Sequence, residues 1–212
     1  VKPDYSDAYG LAKISLDPVT VPKTPDNLSV AFESDHIFRL TWHDNSNNEL
    51  AFILERSIDS ESQFVAYDTL DVNSVSTLDH QVEAHVPFFY RLKAVGDGGQ
   101  SEYSNVASFE WVTAPAAQLS LTVTEQNDNE LLLTWTGNVE HHDGFIIERS
   151  EVQNSGYTPL DTVWTDTYAY VDVVELEKTY FYKVDAYNKA GRKSSNEVTS
   201  IISGNGSDEK RL

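Results

Sequence analysis

The chain has 212 residues without Cys or Met, and 34 acidic against 15 basic residues give it a formal net charge of −19. This acidic excess argues against nucleic acid as a partner, because phosphate binding needs clusters of Lys and Arg. The missing Cys excludes disulfides and thiolate zinc sites. No apolar run of about 18 residues occurs, so no membrane insertion is expected.

The first 24 residues are predicted to be an N-terminal extension, in which Asp17-Pro18 interrupts any strand ladder. Within it, Ser6–Ile14 is similar in residue type to Ser101–Phe109, which falls in the last strand of a predicted domain. We therefore hypothesise that Ser6–Ile14 is the last strand of a preceding module and pairs with an exposed sheet edge of this chain or another. The alternative is packing along the first domain without ladder bonds.

One motif occurs twice and organises the rest of the chain. Trp42 precedes Glu55 by 55 − 42 = 13 residues, and Trp135 precedes Glu148 by 148 − 135 = 13. The offset between the copies, 135 − 42 = 93, indicates duplication of a whole domain and is too long for a solenoid repeat. The two copies are Phe38–Ser57 and Leu131–Ser150.

Alternation of apolar and polar residues predicts seven strands in each copy. In the first they are Leu28–Phe32, Ile37–Trp42, Ala51–Ser57, Phe64–Leu70, Ser76–Leu78, Phe88–Val95 and Tyr103–Phe109. In the second they are Leu119–Thr124, Leu131–Thr136, Phe145–Ser150, Thr158–Val163, Ala169–Val173, Tyr180–Tyr187 and Glu197–Ile202. Short strands at this spacing are typical of Greek-key sandwiches, so the fold class is predicted to be all-β. The domains are residues 25–112 and 115–203, followed by a tail, residues 204–212.

The four tryptophans receive different predictions. Trp42 and Trp135 alternate with large apolar residues on one strand face, so both are predicted to be core anchors. Trp111 lies at the linker, where packing between the domains is favoured over contact with a ligand. Trp164 forms an aromatic patch with Tyr168 and Tyr170, and stacking on a sugar or a protein partner is its functional interpretation. The alternative is that these rings fold under their own strands.

The segments Trp42–Glu49 and Phe52–Ser57 resemble the signature of fibronectin type III domains of the bacterial exported type, and both predicted domains are similar to that family. In the second domain Tyr180–Ala186 resembles the family's tyrosine-corner strand. The resemblance implies that the Tyr180 hydroxyl bonds to an upstream main-chain group. The first domain has Phe88 at this position, so the bond is expected to be missing there, at a stability cost of about 1 kcal/mol.

Two polar loops could suggest metal ions. His141-His142-Asp143 has no further His at ligand spacing, and a solvated loop is the favoured interpretation. Asp44–Glu49 is rich in oxygen ligands but lacks the alternation and Gly of an EF-hand, and a turn is favoured. In both Glu55-Arg56 and Glu148-Arg149 the two adjacent side chains point to opposite faces of the strand, so they cannot form a catalytic unit. Cross-strand pairing at the surface is the favoured interpretation. We expect no metal and no cofactor.

The residues therefore predict no enzyme, because no convergent acid, base and nucleophile is found. The resemblance implies a non-catalytic spacer and protein-interaction module of a larger bacterial protein, extracellular or at the cell surface. Its partners would be another protein or neighbouring domains of the same polypeptide. The alternative is a carbohydrate-binding accessory of a polysaccharide-active enzyme, with polysaccharide as the partner. Three coplanar exposed rings would favour the sugar, and buried rings would favour the spacer.

Overall fold

The computed structural model describes residues 19–203, which contain strands and loops but no helix. Accordingly, these residues offer no helical segment of the length and apolar character that a membrane span requires. The predicted strand Ser6–Ile14 and the tail, residues 204–212, lie outside the described residues. The chain divides into two compact units between Trp111 and Val112, here called domain 1 and domain 2.

Domain 1 is a sandwich of two antiparallel sheets. Its strands are β1 (Asp26–Ser34), β2 (Ile37–His43), β3 (Ala51–Ile58), β4 (Val65–Asp71), β5 (Ser76–Asp79), β6 (Pro87–Gly96), β7 (Gly99–Gln100) and β8 (Ala107–Glu110). The smaller sheet has the order β1-β2-β5, and the larger has the order β4-β3-β6-β7 with β8 also paired to β6. The chain changes sheet from β2 to β3 and again from β4 to β5, which is the connectivity of a Greek-key sandwich.

Domain 2 repeats this arrangement. Its strands are β9 (Ala116–Ala117), β10 (Ser120–Asn127), β11 (Glu130–Thr136), β12 (Val139–Glu140), β13 (Gly144–Ser150), β14 (Thr158–Val163), β15 (Ala169–Val173), β16 (Thr179–Asn188), β17 (Gly191–Ser194) and β18 (Val198–Ile201). The sheets are β10-β11-β15 and β14-β13-β16-β17, with β18 also paired to β16 and a separate pair formed by β9 and β12. The predicted all-β tandem of sandwiches is confirmed.

The predicted last strand of domain 1, Tyr103–Phe109, forms ladder pairs only from Ala107 onwards, whereas the predicted last strand of domain 2, Glu197–Ile202, matches β18 closely. In domain 1 the Ser101 and Ser104 hydroxyls accept the N–H groups of Ala94 and Leu92 at 2.9 and 3.1 Å. The Asn105 side chain bonds the N–H and C=O of Leu28 in the other sheet. Side chains therefore replace ladder bonds between β7 and β8, which alternation of hydrophobicity cannot reveal.

The core of each domain lies between its sheets and is anchored by a Trp. Trp42 and Trp135 are buried, each packed edge-on against the next strand, with ring centroids 5.9 Å from Phe52 and 5.6 Å from Phe145. Such tilted pairs stabilise beyond the area that they bury.

The described part of the N-terminal extension lies against the loop between β2 and β3. Asn48 Nδ2 donates to the carbonyl of Thr20 at 2.8 Å, and Asn45 Nδ2 donates to that of Thr24 at 3.0 Å. The Asp44 carboxylate accepts the Ser46 N–H at 2.9 Å. These side chains therefore shape the turn and hold the preceding segment, as Asn and Asp commonly do.

Candidate functional site

The tight turn between β14 and β15 carries the most exposed aromatic side chain of the described residues. The turn closes through the Thr167 N–H, which donates to the Trp164 carbonyl at 3.1 Å. The Trp164 side chain extends from this turn and is 77% exposed. In domain 1 the strand register places Asp71 at the same position. Domain 2 therefore presents a large apolar ring where domain 1 presents a carboxylate.

The other two residues of the predicted aromatic patch are held by the core. Tyr168 is 44% exposed, and its ring lies 5.6 Å from that of Phe145. Its carbonyl accepts the N–H of Trp135 at 3.1 Å. Tyr170 is partly buried and packs against the core cluster of domain 2. Its burial, followed by the nearby charges of Asp172 and other residues, raises its pKa. Trp164 is thus the most exposed ring of this patch, Tyr168 is partly exposed and Tyr170 is partly buried.

Trp111 packs on domain 1. Its ring lies 5.5 Å from Phe32 of β1 and 5.3 Å from His36, in the turn before β2. Its carbonyl accepts the His85 N–H at 2.7 Å. Since Trp111 is half-buried by these contacts, it offers less free surface than Trp164.

The two loops considered for metal ions have local packing partners. The His142 ring lies 4.8 Å from the Phe145 ring, and Asp143 donates its N–H to the Tyr187 carbonyl at 2.7 Å. Among the described residues, no group of three or more His, Cys, Asp or Glu is placed to hold a metal ion.

The corner bond predicted for the Tyr180 hydroxyl stays a prediction, and the structure shows an upstream bond from the neighbouring Tyr182. The Arg149 guanidinium carbon lies over the Tyr180 ring, 4.7 Å from the centroid of that ring. The hydroxyl that bonds upstream belongs to Tyr182, and it donates to the Asp172 carboxylate at 2.7 Å rather than to the main chain. Both tyrosines face the core because they are two residues apart on one strand. Alternation therefore could not separate them.

Domain 1 has the same tyrosine-to-aspartate bond, made by Tyr90, two residues after Phe88. The Tyr90 hydroxyl donates to Asp79 Oδ2 at 2.8 Å. Arg56 Nη1 donates to the same oxygen at 2.8 Å, and the Tyr67 hydroxyl donates to Oδ1 at 2.6 Å. The Gln81 N–H adds a fourth bond at 2.8 Å. Burial raises the pKa of Asp79, but these donors outweigh it and hold the pKa below its ordinary value.

Domain 2 builds a smaller version of this group around Asp172. Arg149 Nη1 lies 3.1 and 2.9 Å from the two carboxylate oxygens, and Tyr182 is the second donor. The register places Leu160 where domain 1 has Tyr67, so one hydroxyl is lost. The sequence predicts surface pairs for Arg56 and Arg149, whereas the structure pairs each with an aspartate of the other sheet. The repeated Glu-Arg-Ser was the available signal, but the Asp partner is 23 residues away in both domains.

Glu55 and Glu148 occupy the same position on the outward faces of the larger sheets. In domain 1 Arg91 donates to Glu55 Oε2 from Nη2 and Nε at 2.7 and 2.9 Å. Tyr103 donates to Oε1 at 2.7 Å, and Lys93 Nζ lies 3.9 Å away. Burial raises the pKa of Glu55, but the hydrogen bonds from Tyr103 and Arg91 and the two positive charges bring it below its ordinary value.

Domain 2 surrounds Glu148 differently. Lys183, opposite Glu148 on β16 as Arg91 is opposite Glu55, lies over the Tyr157 ring at 4.3 Å. Burial and then the charge of Asp185 raise the pKa of Glu148, and Arg192 and Lys183 lower it by less. The same glutamate is therefore well neutralised in domain 1 and poorly neutralised in domain 2.

Two facing sheets with this strand order define each domain as a Greek-key β-sandwich, and the chain is a tandem of two such sandwiches. No family model matches it. A titin homolog of Caenorhabditis elegans is 20% identical over 192 residues, which is 84% of this chain and 1% of that protein. The chain thus spans about 1% of the length of this relative. The crystal structure of chicken CNTN1 FN1-FN3 domains shares 16% identity with a TM-score of 0.48 and covers 87% of this chain and 67% of that one.

Proposed function

We propose that this chain is a non-catalytic spacer and protein-interaction segment of a larger bacterial protein, extracellular or at the cell surface. Domains of this fold class usually serve as spacers or interaction modules. The conclusion of an extracellular bacterial setting rests on the signature resemblance and on a fold that needs no Cys.

The exposure of Trp164 is the observation that carries the interaction role. A Trp gains more than other side chains from removal from water, and exposed Trp residues are frequent anchors of protein interfaces. Trp164 stands at the start of a turn that a backbone hydrogen bond closes, so little backbone freedom is lost when a partner covers it. The matching Asp71 of domain 1 has no such apolar surface.

A protein partner is better supported than a polysaccharide. Stacking along a sugar chain would favour several exposed rings in one plane. Tyr170 instead packs against the core of domain 2, and Tyr168, although 44% exposed, lies with its ring 5.6 Å from Phe145, so Trp164 is the most exposed ring of the patch. One ring that is much more exposed than its neighbours suits a pocket on a protein surface, where a single aromatic residue often dominates affinity.

Site-specific photocrosslinking in the intact parent protein tests this proposal. A benzoylphenylalanine at position 164, introduced in the producing cells, is expected to crosslink to a protein partner on irradiation. The same amino acid at position 71 is the matched control, because it stands at the same place in domain 1 and is expected to capture no partner.

Crosslinking of equal yield and identity at both positions would contradict the interaction role of Trp164. Crosslinks to glycan at position 164 would favour the carbohydrate-binding alternative. Turnover of a peptide or polysaccharide by the purified chain would overturn the non-catalytic role, and the crosslinking result would not affect that conclusion.

A further inference from the structure

The outward face of the larger sheet in domain 2 holds two carboxylates that the domain neutralises incompletely. The side chains of Glu148 and Asp185 are 16% and 9% exposed, respectively. Arg192 Nη1 lies 3.6 Å from Glu148 and 4.0 Å from Asp185, which is the outer limit for an ion pair. Within the described residues, Asp185 Oδ1 is buried and has no hydrogen-bond partner. A buried oxygen of this kind is unfavourable unless something compensates it.

Domain 1 neutralises the corresponding glutamate with cations of its own sheet. The register pairs Ile53 with Lys93 in domain 1 and Ile146 with Asp185 in domain 2, so Lys93 and Asp185 are counterparts. Lys93 Nζ donates to the Tyr103 hydroxyl at 3.0 Å and lies 3.9 Å from Glu55. Replacement of this lysine by an aspartate removes one positive charge and adds one negative charge beside the glutamate that both domains have at this position.

The charges that remain around the pair in domain 2 do not restore the balance. Lys183 is directed over the Tyr157 ring, and the Tyr157 hydroxyl donates to Glu197, a further carboxylate on this side of the sheet. Arg192 is 53% exposed, so its attraction to the pair is screened by water. A second cation at this place would therefore lower the free energy of the two carboxylates.

We propose that Glu148 and Asp185 bind an arginine or lysine side chain of a protein partner, which supplies the charge that Lys93 supplies in domain 1. An arginine fits best, because its planar guanidinium can donate to two carboxylates at once. The partner surface is basic, complementary to a chain with a net charge of −19.

Access to the pair is through Glu148 and the edge covered by Arg192. Glu148 retains some exposed surface, and Arg192 is a long and mostly solvated side chain that can turn aside at small cost. The incoming side chain then reaches Glu148 first and shares Asp185 with Arg192. The proposed site does not include Trp164.

An NMR titration of the full chain tests the proposal. The probe is a capped pentapeptide with two arginines between glycines, and the control probe has citrulline in place of arginine. The side-chain carboxyl carbons of Glu148 and Asp185 are expected to shift in a saturable manner with the arginine probe, and Glu55 is expected to stay unshifted. The citrulline probe should leave all three unchanged.

Matched variants exchange the charge between the domains. Asp185→Lys should weaken probe binding at Glu148 about tenfold or more, the effect of about 1.4 kcal/mol. Lys93→Asp should create probe-dependent shifts at Glu55. Asp185→Asn, nearly isosteric, gives the same test if the lysine variant does not fold. Trp164→Asp should leave the titration unchanged.

Equal shifts with the arginine and citrulline probes would overturn the proposal. So would undiminished binding by a folded Asp185→Lys or Asp185→Asn variant, as judged by an unchanged core amide spectrum. A loss of binding in Trp164→Asp would also contradict it, because the site would then belong to the aromatic turn. Failure of the crosslinking at position 164 would leave this titration unaffected, so the two proposals fail separately.

Discussion

Domain 1 and domain 2 share a strand order and a buried Arg-Asp-Tyr group, yet they treat their carboxylates differently. Asp79 accepts four hydrogen bonds from Arg56, Tyr67, Tyr90 and the Gln81 N–H. Asp172 has Arg149 and Tyr182 as donors. On the outward face, Glu55 is surrounded by donors whereas Glu148 faces another acid.

The two domains share the Arg-Asp-Tyr group but differ in the charges on the outward face of the larger sheet. The Arg-Asp-Tyr group ties one sheet to the edge of the other, because Arg56 and Tyr90 lie on the larger sheet and Asp79 on the smaller. The same holds for Arg149, Tyr182 and Asp172, so the tie is part of the fold. The outward face has no such role, and its charges could diverge towards binding.

The largest expected effect tests what the domains share. Trp42→Ala and Trp135→Ala should each destabilise their own domain by about 3–5 kcal/mol, because both rings are buried and leave a cavity. Residue-level hydrogen exchange of the full chain in denaturant would measure each domain separately. An unchanged stability of either domain would mean that its Trp does not anchor the core.

The next effect separates the domains. Asp79→Asn should cost about 3 kcal/mol, because it leaves the Arg56 charge unpaired in a site with little solvent. Asp172→Asn should cost less, since Arg149 is more exposed and fewer donors lose a partner. The same exchange measurement gives both values. A larger loss from Asp172→Asn would reverse the ranking of the two groups.

A smaller effect should be confined to domain 1. Tyr67→Phe should destabilise it by about 1 kcal/mol, through loss of the hydroxyl that donates to Asp79. The pKa of Tyr67 is raised to about 12 by burial and by its bond to Asp79, so the hydroxyl is a donor at all ordinary pH values. Leu160→Phe, at the matching position in domain 2, is the control for the ring. A loss no larger than experimental error would show that the Tyr67 hydroxyl adds nothing to the stability of domain 1.

The smallest effect is a pH dependence of opposite sign. The pKa of Glu55 is lowered in the folded state, so its contribution to stability is present above the ordinary value of 4.5 and lost as pH falls through the folded pKa. The pKa of Glu148 is raised, so its contribution is present below 4.5 and lost as pH rises through the folded pKa.

Stability curves of both domains between about pH 2 and pH 7 would check this prediction. Glu148→Gln should remove the gain in the free energy of unfolding that domain 2 shows at lower pH. Glu55→Gln should remove the loss in the free energy of unfolding that domain 1 shows at lower pH. Identical curves for the native chain and for Glu148→Gln would contradict the raised pKa. Asp185→Lys should bring the domain 2 curve closer to that of domain 1.

The sequence by itself determined the two sandwiches and most of their strands. Strand residues alternate between two faces, so the periods around Trp42 and Trp135 identify the buried rows without any knowledge of pairing. The repeated spacing between Trp and Glu-Arg-Ser identified the duplication. Both signals are local in the chain, which is why they could be found before the structure was known.

Tertiary structure decided which polar groups meet. Tyr180 and Tyr182 lie on the same strand face, so only the approach of Asp172 from the other sheet selects Tyr182 as the donor. Arg56 likewise finds Asp79 through the stacking of the sheets. The exposure of Trp164 also depends on the turn that carries it, because the same composition could have folded the ring under its strand. Contacts between distant segments depend on packing geometry, and a one-dimensional pattern does not contain that geometry.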